Sequence, residues 1–184
     1  MKIPENAKLV FKGVIFEVYQ WEQEMYDGSV QTFERLKRPD TVVVFPVTED
    51  KQVIILEQEQ PGKPTYIGAA AGRVEEGEEI ERAAARELLE ETGYQASEFI
   101  LLSKVVPTDK IDWIVYLYVA RGCKKVAEPS LDPGEKIKSR LVSFEKFLEI
   151  ALDVNFYDRE IKLDIYRAKS DPKEMENLKK IFLE

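Results

Sequence analysis

The residues best suited to chemistry are glutamates in one short segment. Eight glutamates lie between Glu75 and Glu91, against only two arginines. If this segment is helical, Glu87, Glu90 and Glu91 have i, i+3 and i+4 spacing, which places their carboxylates on one face. Like charges so placed repel each other, whereas an oxygen-preferring divalent cation such as Mg²⁺ or Mn²⁺ would stabilise them. Composition alone fits a metal site and a solvated acidic helix equally well.

The residue types that the chain lacks exclude several kinds of active site and metal site. The chain has 184 residues, no histidine and a single cysteine, Cys123. This excludes Ser-His and Cys-His nucleophile systems, histidine-bearing zinc sites, internal disulfides and four-cysteine metal sites. Acid-base or metal chemistry must therefore depend on carboxylates.

The charge of the chain bears on its partners and location. Lys and Arg number 27 and Asp and Glu number 35, so the formal net charge is −8, which disfavours binding to nucleic acid. There is no apolar run of the length of a signal peptide or a membrane span. We therefore expect a cytoplasmic protein without nucleic-acid or membrane partners.

The elements that must position the glutamates follow from periodicity and turn residues. Alternating apolar residues predict a β-ribbon from about Lys8 to Lys37, and Gly93 predicts the end of a helix that begins near Glu79. Further strands and helices are interspersed, which indicates an α/β (α+β) fold. The other predicted strands are 41–45, 53–56, 66–72, 99–106, 113–120 and 141–142, and the other predicted helices are 144–152, 158–169 and 172–183.

The spacing within the acidic segment resembles the Nudix box. Its fixed positions are matched over 23 residues, with an aromatic in the last apolar position. The matching residues are Gly72, Glu78, Arg86, Glu87, Leu88, Glu90, Glu91, Gly93 and Tyr94. On these residues the chain is identified as a member of the Nudix hydrolase superfamily.

This resemblance implies a fold and a domain organisation. The family fold is an α/β/α sandwich around a mixed sheet, here with an N-terminal antiparallel β-extension. The extension, residues 1–38, resembles the dimerisation strands of the ADP-ribose pyrophosphatase branch, so a homodimer is expected. Residues 39–184 would form the Nudix hydrolase domain with its C-terminal helices.

The resemblance also implies a reaction and a set of site residues. Nudix hydrolases cleave a nucleoside diphosphate linked to another group, with bound divalent cations, here Mg²⁺ or Mn²⁺. The implied metal ligands are Glu87, Glu90, Glu91 and the carbonyl of Ala71. Gly72, Glu78, Arg86 and Gly93 would support them, with Arg86 positioning ligands for catalysis.

Outside the box, the chain most resembles the ADP-ribose pyrophosphatase branch. The loop from Leu131 to Glu135 resembles an acidic loop that supplies a catalytic glutamate in some members, so Glu135 is a candidate general base or an ordinary exposed loop residue. Gln60 falls where some members have an arginine for the diphosphate. The substrate expected is thus ADP-ribose or another nucleoside diphosphate sugar.

Side chains for substrate binding are suggested by their chemistry. Trp21, Phe33 and Trp113 can stack on a base, or belong to the core or a dimer interface. Arg35 and Arg38 belong to a basic cluster that can contact phosphate or balance the acidic surface.

Two alternative functions stay open. A Nudix hydrolase of a nucleoside triphosphate or a dinucleoside polyphosphate would use the same chemistry on another substrate. A Nudix-fold sensor would bind a nucleotide without cleaving it, although such proteins usually have a damaged box.

Overall fold

The apolar runs in the middle of the chain form the central strands of a mixed sheet. The structure, a computed structural model, describes residues 2–184. In chain order the strands are β1 (Lys8–Lys12), β2 (Glu17–Glu24), β3 (Val30–Lys37), β4 (Thr41–Thr48), β5 (Val53–Glu59), β6 (Tyr66–Gly68), β7 (Ala70–Arg73), β8 (Tyr94–Gln95), β9 (Glu98–Val105), β10 (Ile111–Asp112), β11 (Val115–Lys125) and β12 (Lys136–Val142). The helices are α1 (Ile80–Thr92), α2 (Phe144–Leu152), α3 (Lys162–Ser170) and α4 (Pro172–Leu183).

The main sheet has the strand order β12-β5-β4-β11-β8, with three further strands paired at its sides. β4 runs parallel to β11, whereas β5 pairs antiparallel with β12. β6 pairs with β5, β7 with β4 and β9 with β11. The sheet is therefore mixed, and its central strands are almost entirely buried.

Helices cover both faces of the sheet, and alternate side chains of β4 pack into the two resulting cores. Val43 and Phe45 contribute to a core with α2, α3 and α4, whereas Val42 and Val44 contribute to a second core with α1. Successive side chains of a strand point to opposite faces, so a strand that is apolar on both faces needs cover on both. This arrangement confirms the predicted α/β/α sandwich.

The N-terminal strands form a separate small sheet with the order β1-β2-β3-β10. Asp27 and Gly28 make the hairpin turn between β2 and β3, with Gly28 at φ 80 and Asp27 accepting a hydrogen bond from the backbone N–H of Ser29 at 2.9 Å. β10 comes from the core and pairs parallel with β3. The ribbon is thus anchored to the rest of the protein through β10.

Several element boundaries differ from those expected. β12 spans seven residues rather than the two apolar ones that were predicted, because its polar side chains lie on an exposed edge strand. Trp113 precedes β11, and its indole N–H donates to Thr41 Oγ1 at 3.0 Å. The predicted helix 158–169 begins as a 3-10 turn, Arg159–Ile161, before α3. In the described residues, no helix has both the length and the apolarity to cross a membrane.

Candidate active site

Helix α1 presents the glutamates because its other side is fixed against the sheet. Ala83, Ala84 and Leu88 are fully buried in the core beneath it. The helix begins after the extended Glu79 and ends at Gly93, whose φ of 73 lies in the left-handed region. A Cβ on Gly93 would lie 2.1 Å from the carbonyl oxygen of Ala127, so glycine is required there.

Glu91 is the most deeply buried of these carboxylates, with 6% of its surface exposed. Its Oε2 accepts a hydrogen bond from the backbone N–H of Ala71 in β7 at 3.2 Å. Burial, followed by repulsion from Glu87, raises the pKa of Glu91 to about 9. Near neutral pH a positive charge is therefore needed to keep this carboxyl ionised.

Glu87 packs directly against Gly72 of β7. A Cβ at position 72 would lie 1.9 Å from Glu87 Oε1, so only glycine leaves room for the carboxylate. Burial is the main cause that raises the pKa of Glu87, and the neighbouring Arg86 opposes it. Gly72 is thus a cradle for a half-buried carboxylate.

Arg86 connects the carboxylates of the segment. Its Nε and Nη2 each donate to one oxygen of Glu78 at 2.9 Å, forming a bidentate pair. Its Nη1 donates to Glu87 at 2.7 Å and to Glu90 at 3.1 Å. Nη2 also donates to the carbonyl of Arg73 at 2.9 Å, so one guanidinium orients both glutamates and the loop.

A cleft of about 610 Å³ opens above these residues. We call it the acidic cleft; it is lined by Glu87, Glu90, Glu91 and Glu135. Glu135 comes from the turn before β12, and its charge raises the pKa values of Glu87 and Glu91. The structure therefore brings the candidate base into the same cleft as the candidate metal ligands.

The carboxylates that line the acidic cleft do not converge on a common position for a cation. Among residues 2–184, no three acidic or cysteine side chains converge closely enough to hold a cation as they stand. The physical reason is that Arg86 attracts Glu87 and Glu90, while Glu91 is turned toward the N–H of Ala71. The donor set itself, buried oxygens of like charge beside a glycine cradle, fits a hard divalent cation.

The backbone before Gly72 is held by buried polar side chains. Asp158 accepts a hydrogen bond from the N–H of Ala69 at 2.6 Å, and Gln58 donates one to the carbonyl of Ala69 at 3.0 Å. The hydroxyl of Tyr66 in turn donates to Gln58 Oε1 at 3.0 Å. Both backbone polar groups of Ala69, which lies between β6 and β7, are thus satisfied by buried side chains, which fixes the start of β7.

A second cleft of about 330 Å³ adjoins the first and shares Gly72 and Glu91 with it. We call it the aromatic cleft; it is lined by Tyr66, Trp113 and Tyr157 among others. The rings of Tyr66 and Tyr157 have centroids 4.6 Å apart. The guanidinium of Arg38 lies 4.4 Å from the ring centre of Trp113, and burial lowers the pKa of Arg38.

The predicted substrate-binding residues lie in two places. Arg38 lines the aromatic cleft, together with Trp113. Trp21 and Phe33 face each other across β2 and β3, with ring centroids 5.9 Å apart, and Arg35 lies 6.0 Å from the Trp21 ring. Among the described residues that line the two clefts, these three ribbon side chains do not occur.

Sequence analysis missed several residues of the aromatic cleft. Lys63, Tyr66 and Tyr157 line it from outside the box, and Arg73 lines it from a variable position of the box. Asp158 had one signal in the sequence, its position in the break between two helices, whereas its burial is visible only in the structure. An acidic residue at such a break is a candidate for a buried hydrogen-bonding role.

Comparisons with known proteins identify the family of the chain. The family model described as "NUDIX domain" matches residues 37–163. An ADP-ribose pyrophosphatase of Bacillus subtilis (strain 168) is 30% identical over 152 residues, which cover 81% of this chain and 82% of the relative. A "Methanol dehydrogenase activator" of Bacillus methanolicus is 28% identical over 156 residues, covering 83% and 84%.

Two further matches concern hydrolases of ADP compounds. The ADP compounds hydrolase NudE of Escherichia coli (strain K12) is 28% identical over 102 residues, or 54% of this chain and 55% of that protein. A crystal structure of an ADP compounds hydrolase superposes with a TM-score of 0.72 at 20% identity, covering 90% of this chain and 91% of that one. At this low identity the structural likeness supports the assignment of the fold.

Proposed function

The chain belongs to the Nudix family of hydrolases, and from that premise we propose that it is a divalent-metal-dependent pyrophosphohydrolase of ADP-ribose or a related nucleoside diphosphate sugar. Its products would be a nucleoside monophosphate and a sugar phosphate. The observation that carries the proposal is the cluster of Glu87, Glu90, Glu91 and Glu135 in one cleft, against the glycine cradle of Gly72. The 30% identical relative named ADP-ribose pyrophosphatase favours the substrate class.

The proposed metal ligands are Glu87, Glu90, Glu91 and the carbonyl of Ala71. Mg²⁺ suits an all-oxygen set, and Mn²⁺ is the natural substitute. A bound divalent cation supplies charge neutralisation at the diphosphate and lowers the pKa of a coordinated water. Because Glu91 is buried with a raised pKa, its ionised form has most to gain from such a cation.

The protein's own groups then have separate tasks. Arg86 orients Glu87 and Glu90 through Nη1, and Glu78 anchors the guanidinium from the other side. Glu135 is the proposed general base, because it lines the acidic cleft from a different element and carries no ion pair to a lysine or arginine among residues 2–184. A carboxylate is the side-chain base available to a protein without histidine.

The aromatic cleft is the proposed site for the part of the substrate beyond the scissile diphosphate. Arg38, Lys63 and Arg73 supply positive charge at its wall, close to the acidic cluster. The half-exposed ring of Tyr157 and the ring of Trp113 offer surfaces for a base or a sugar. A direct role of Trp21, Phe33 and Arg35 in binding stays a prediction.

The function is tested by hydrolysis assays with nucleotide sugars. Glu87→Gln and Glu91→Gln should each lower kcat by about 10³-fold, because each removes several kcal/mol of metal-dependent stabilisation. Glu81→Gln is the matched control, since Glu81 is exposed in the first turn of the same helix. EDTA should abolish turnover and Mg²⁺ should restore it. Full activity in Glu87→Gln or Glu91→Gln would refute the ligand assignment.

Product analysis separates the alternatives. AMP with a sugar phosphate identifies a nucleoside diphosphate sugar hydrolase, whereas a nucleoside monophosphate with pyrophosphate identifies a nucleoside triphosphate pyrophosphohydrolase. Ligand binding without turnover under both Mg²⁺ and Mn²⁺ would indicate the sensor function instead.

We also propose that the N-terminal ribbon, residues 1–38, forms a homodimer with a second copy of the chain. Every residue of β1 is exposed, and Leu9, Phe11 and Val14 have 46%, 59% and 97% of their surface exposed. β1 is also an edge strand of the small sheet. An apolar patch on an unpaired edge is typical of an interface.

The dimer is tested by light scattering coupled to gel filtration. Phe11→Glu should shift the mass from a dimer to a monomer, since it places a charge in the proposed interface. Val154→Glu is the control, because Val154 is 73% exposed in a loop far from the ribbon in sequence. A monomeric wild-type protein, or a dimer in Phe11→Glu, would contradict the assignment.

A further inference from the structure

Gln60 lines the aromatic cleft and uses both ends of its amide. Its Nε2 donates to Glu135 Oε1 at 3.1 Å. Its Oε1 accepts a hydrogen bond from Lys63 Nζ at 2.8 Å, and Lys63 Nζ is also 3.4 Å from the hydroxyl of Tyr157. A chain of polar contacts thus runs from the aromatic cleft to the acidic cleft.

The sheet register brings Gln60 and Glu135 together. β5 and β12 are antiparallel, and their last pair toward the clefts is Glu59 with Lys136. The next residues along the two chains are Gln60 and Glu135, which therefore face each other just beyond the ladder. Gly134 precedes Glu135 and has a φ of 97. It packs closely against Pro61, since a Cβ at position 134 would lie 3.3 Å from Pro61 Cγ.

The amide orientation follows from its partners. A carboxylate only accepts hydrogen bonds and an ammonium only donates them. The orientation with Nε2 toward Glu135 and Oε1 toward Lys63 satisfies both neighbours, and the reverse orientation satisfies neither. Lys63 therefore fixes which end of Gln60 faces the base.

The side chain of Gln60 is neutral and faces a cluster of carboxylates. Glu135 stands near Glu87 and Glu91 and raises their pKa values, so the three carboxylates repel one another. The neutral amide of Gln60 holds Glu135 in place through a hydrogen bond and adds no charge of its own to the cleft.

We propose that Gln60, oriented by Lys63, is a positioning residue that holds Glu135 toward the metal-binding carboxylates for the reaction. This inference rests on the proposed function, in which Glu135 is the general base. Gln60 itself contacts no reacting atom in this role. Its removal should therefore change the rate of the chemical step and leave substrate affinity nearly intact.

The first test is steady-state kinetics with ADP-ribose and Mg²⁺. Gln60→Ala should lower kcat by about tenfold with KM within about twofold, because a misplaced base loses part of the 10²–10⁴-fold that general base catalysis contributes. Lys63→Met should also lower kcat, and it should raise KM as well, because Lys63 supplies positive charge to the aromatic cleft. Lys136→Met is the matched control, since Lys136 pairs with Glu59 on the neighbouring ladder position and should leave kcat unchanged.

The second test asks whether Gln60 acts through Glu135. Glu135→Gln alone should lower kcat further than Gln60→Ala, and the double variant should be no slower than Glu135→Gln. Multiplicative losses, wild-type kcat in Gln60→Ala or full activity in Glu135→Gln would each overturn the proposal.

A third measurement does not depend on turnover. Hydrogen exchange should become faster for the backbone of residues 131–136 in Gln60→Ala and stay unchanged in Lys136→Met, because the tether to Gln60 holds this turn. Unchanged exchange in Gln60→Ala overturns the tether. A wild-type enzyme that cleaves no diphosphate would refute the proposed function, while the exchange data would still decide whether Gln60 holds Glu135.

Discussion

Gly72→Ala is the most informative single change, because it adds one methyl group at the floor of the acidic cleft. The added Cβ would lie 1.9 Å from Glu87 Oε1 and 2.0 Å from Glu87 Cδ, whereas ordinary contact begins at 3.4 Å. The carboxylate of Glu87 must therefore move by about 1.5 Å to avoid overlap. Gly72 does not have a positive φ, so alanine brings no backbone strain of its own.

The expected consequence is a loss of activity without a loss of fold. A misplacement of about 1 Å in a catalytic arrangement can cost about 10²-fold in rate, or about 2.7 kcal/mol, so kcat should fall by at least that factor. The melting temperature should change little, because the displaced carboxylate can swing into the open cleft. Mn²⁺ binding, followed by electron paramagnetic resonance without substrate, should weaken in parallel.

Gly77→Ala is the opposite control, in the loop between β7 and α1. A Cβ at position 77 meets nothing within 4 Å, but the φ of 78 is unfavourable for alanine. We expect this variant to lose about 1 kcal/mol of stability and to keep its rate and its Mn²⁺ affinity. Wild-type turnover and Mn²⁺ affinity in Gly72→Ala would refute the idea that Glu87 must rest against this glycine.

Other predictions concern stability. Gly93→Ala should lower the free energy of unfolding by at least about 2 kcal/mol in urea titrations, since it combines a left-handed φ with a clash against the backbone of Ala127. Phe147→Ala should cost about 3–5 kcal/mol in the same assay, because the ring is fully buried among Phe45, Phe156 and Phe182. Burial raises the pKa of Asp158 from 3.8, its value in the unfolded chain, to about 7 in the folded protein. The folded state holds this proton more tightly, so stability should fall as the pH rises from about 4 to about 7. In Asp158→Asn the loss of unfolding free energy over this pH range should be smaller, by at most about 4 kcal/mol. Parallel curves of unfolding free energy against pH for the two proteins would contradict the prediction.

The box and its helix were predictable because their geometry is local. Three carboxylates at i, i+3 and i+4 share a face in any α-helix, and the left-handed Gly93 ends α1 where the pattern indicated. The sandwich was expected from the family resemblance, and the buried run of β4 agrees with it, since a strand that is apolar on both faces needs two layers of helix.

Contacts between distant segments depended on the strand order and register. Glu135 was selected by resemblance, but its partner Gln60 follows from the antiparallel pairing of β5 with β12. Arg38 and Trp113 were suggested separately, and their stacking results from the parallel pairing of the neighbouring β3 with β10 and of β4 with β11.

What the sequence by itself determined is the choice of side chains: in an acidic, histidine-free chain the proposed side-chain metal ligands are carboxylates spaced on one helix, and the proposed base is a carboxylate in a separate loop. Only the tertiary structure decided how those carboxylates are used. It buried Glu91, placed Glu87 against Gly72 and tethered Glu135 across the sheet. The reason is that a residue's type and its neighbours within a helix are local properties, whereas burial and charge proximity depend on which strands and loops the fold brings together.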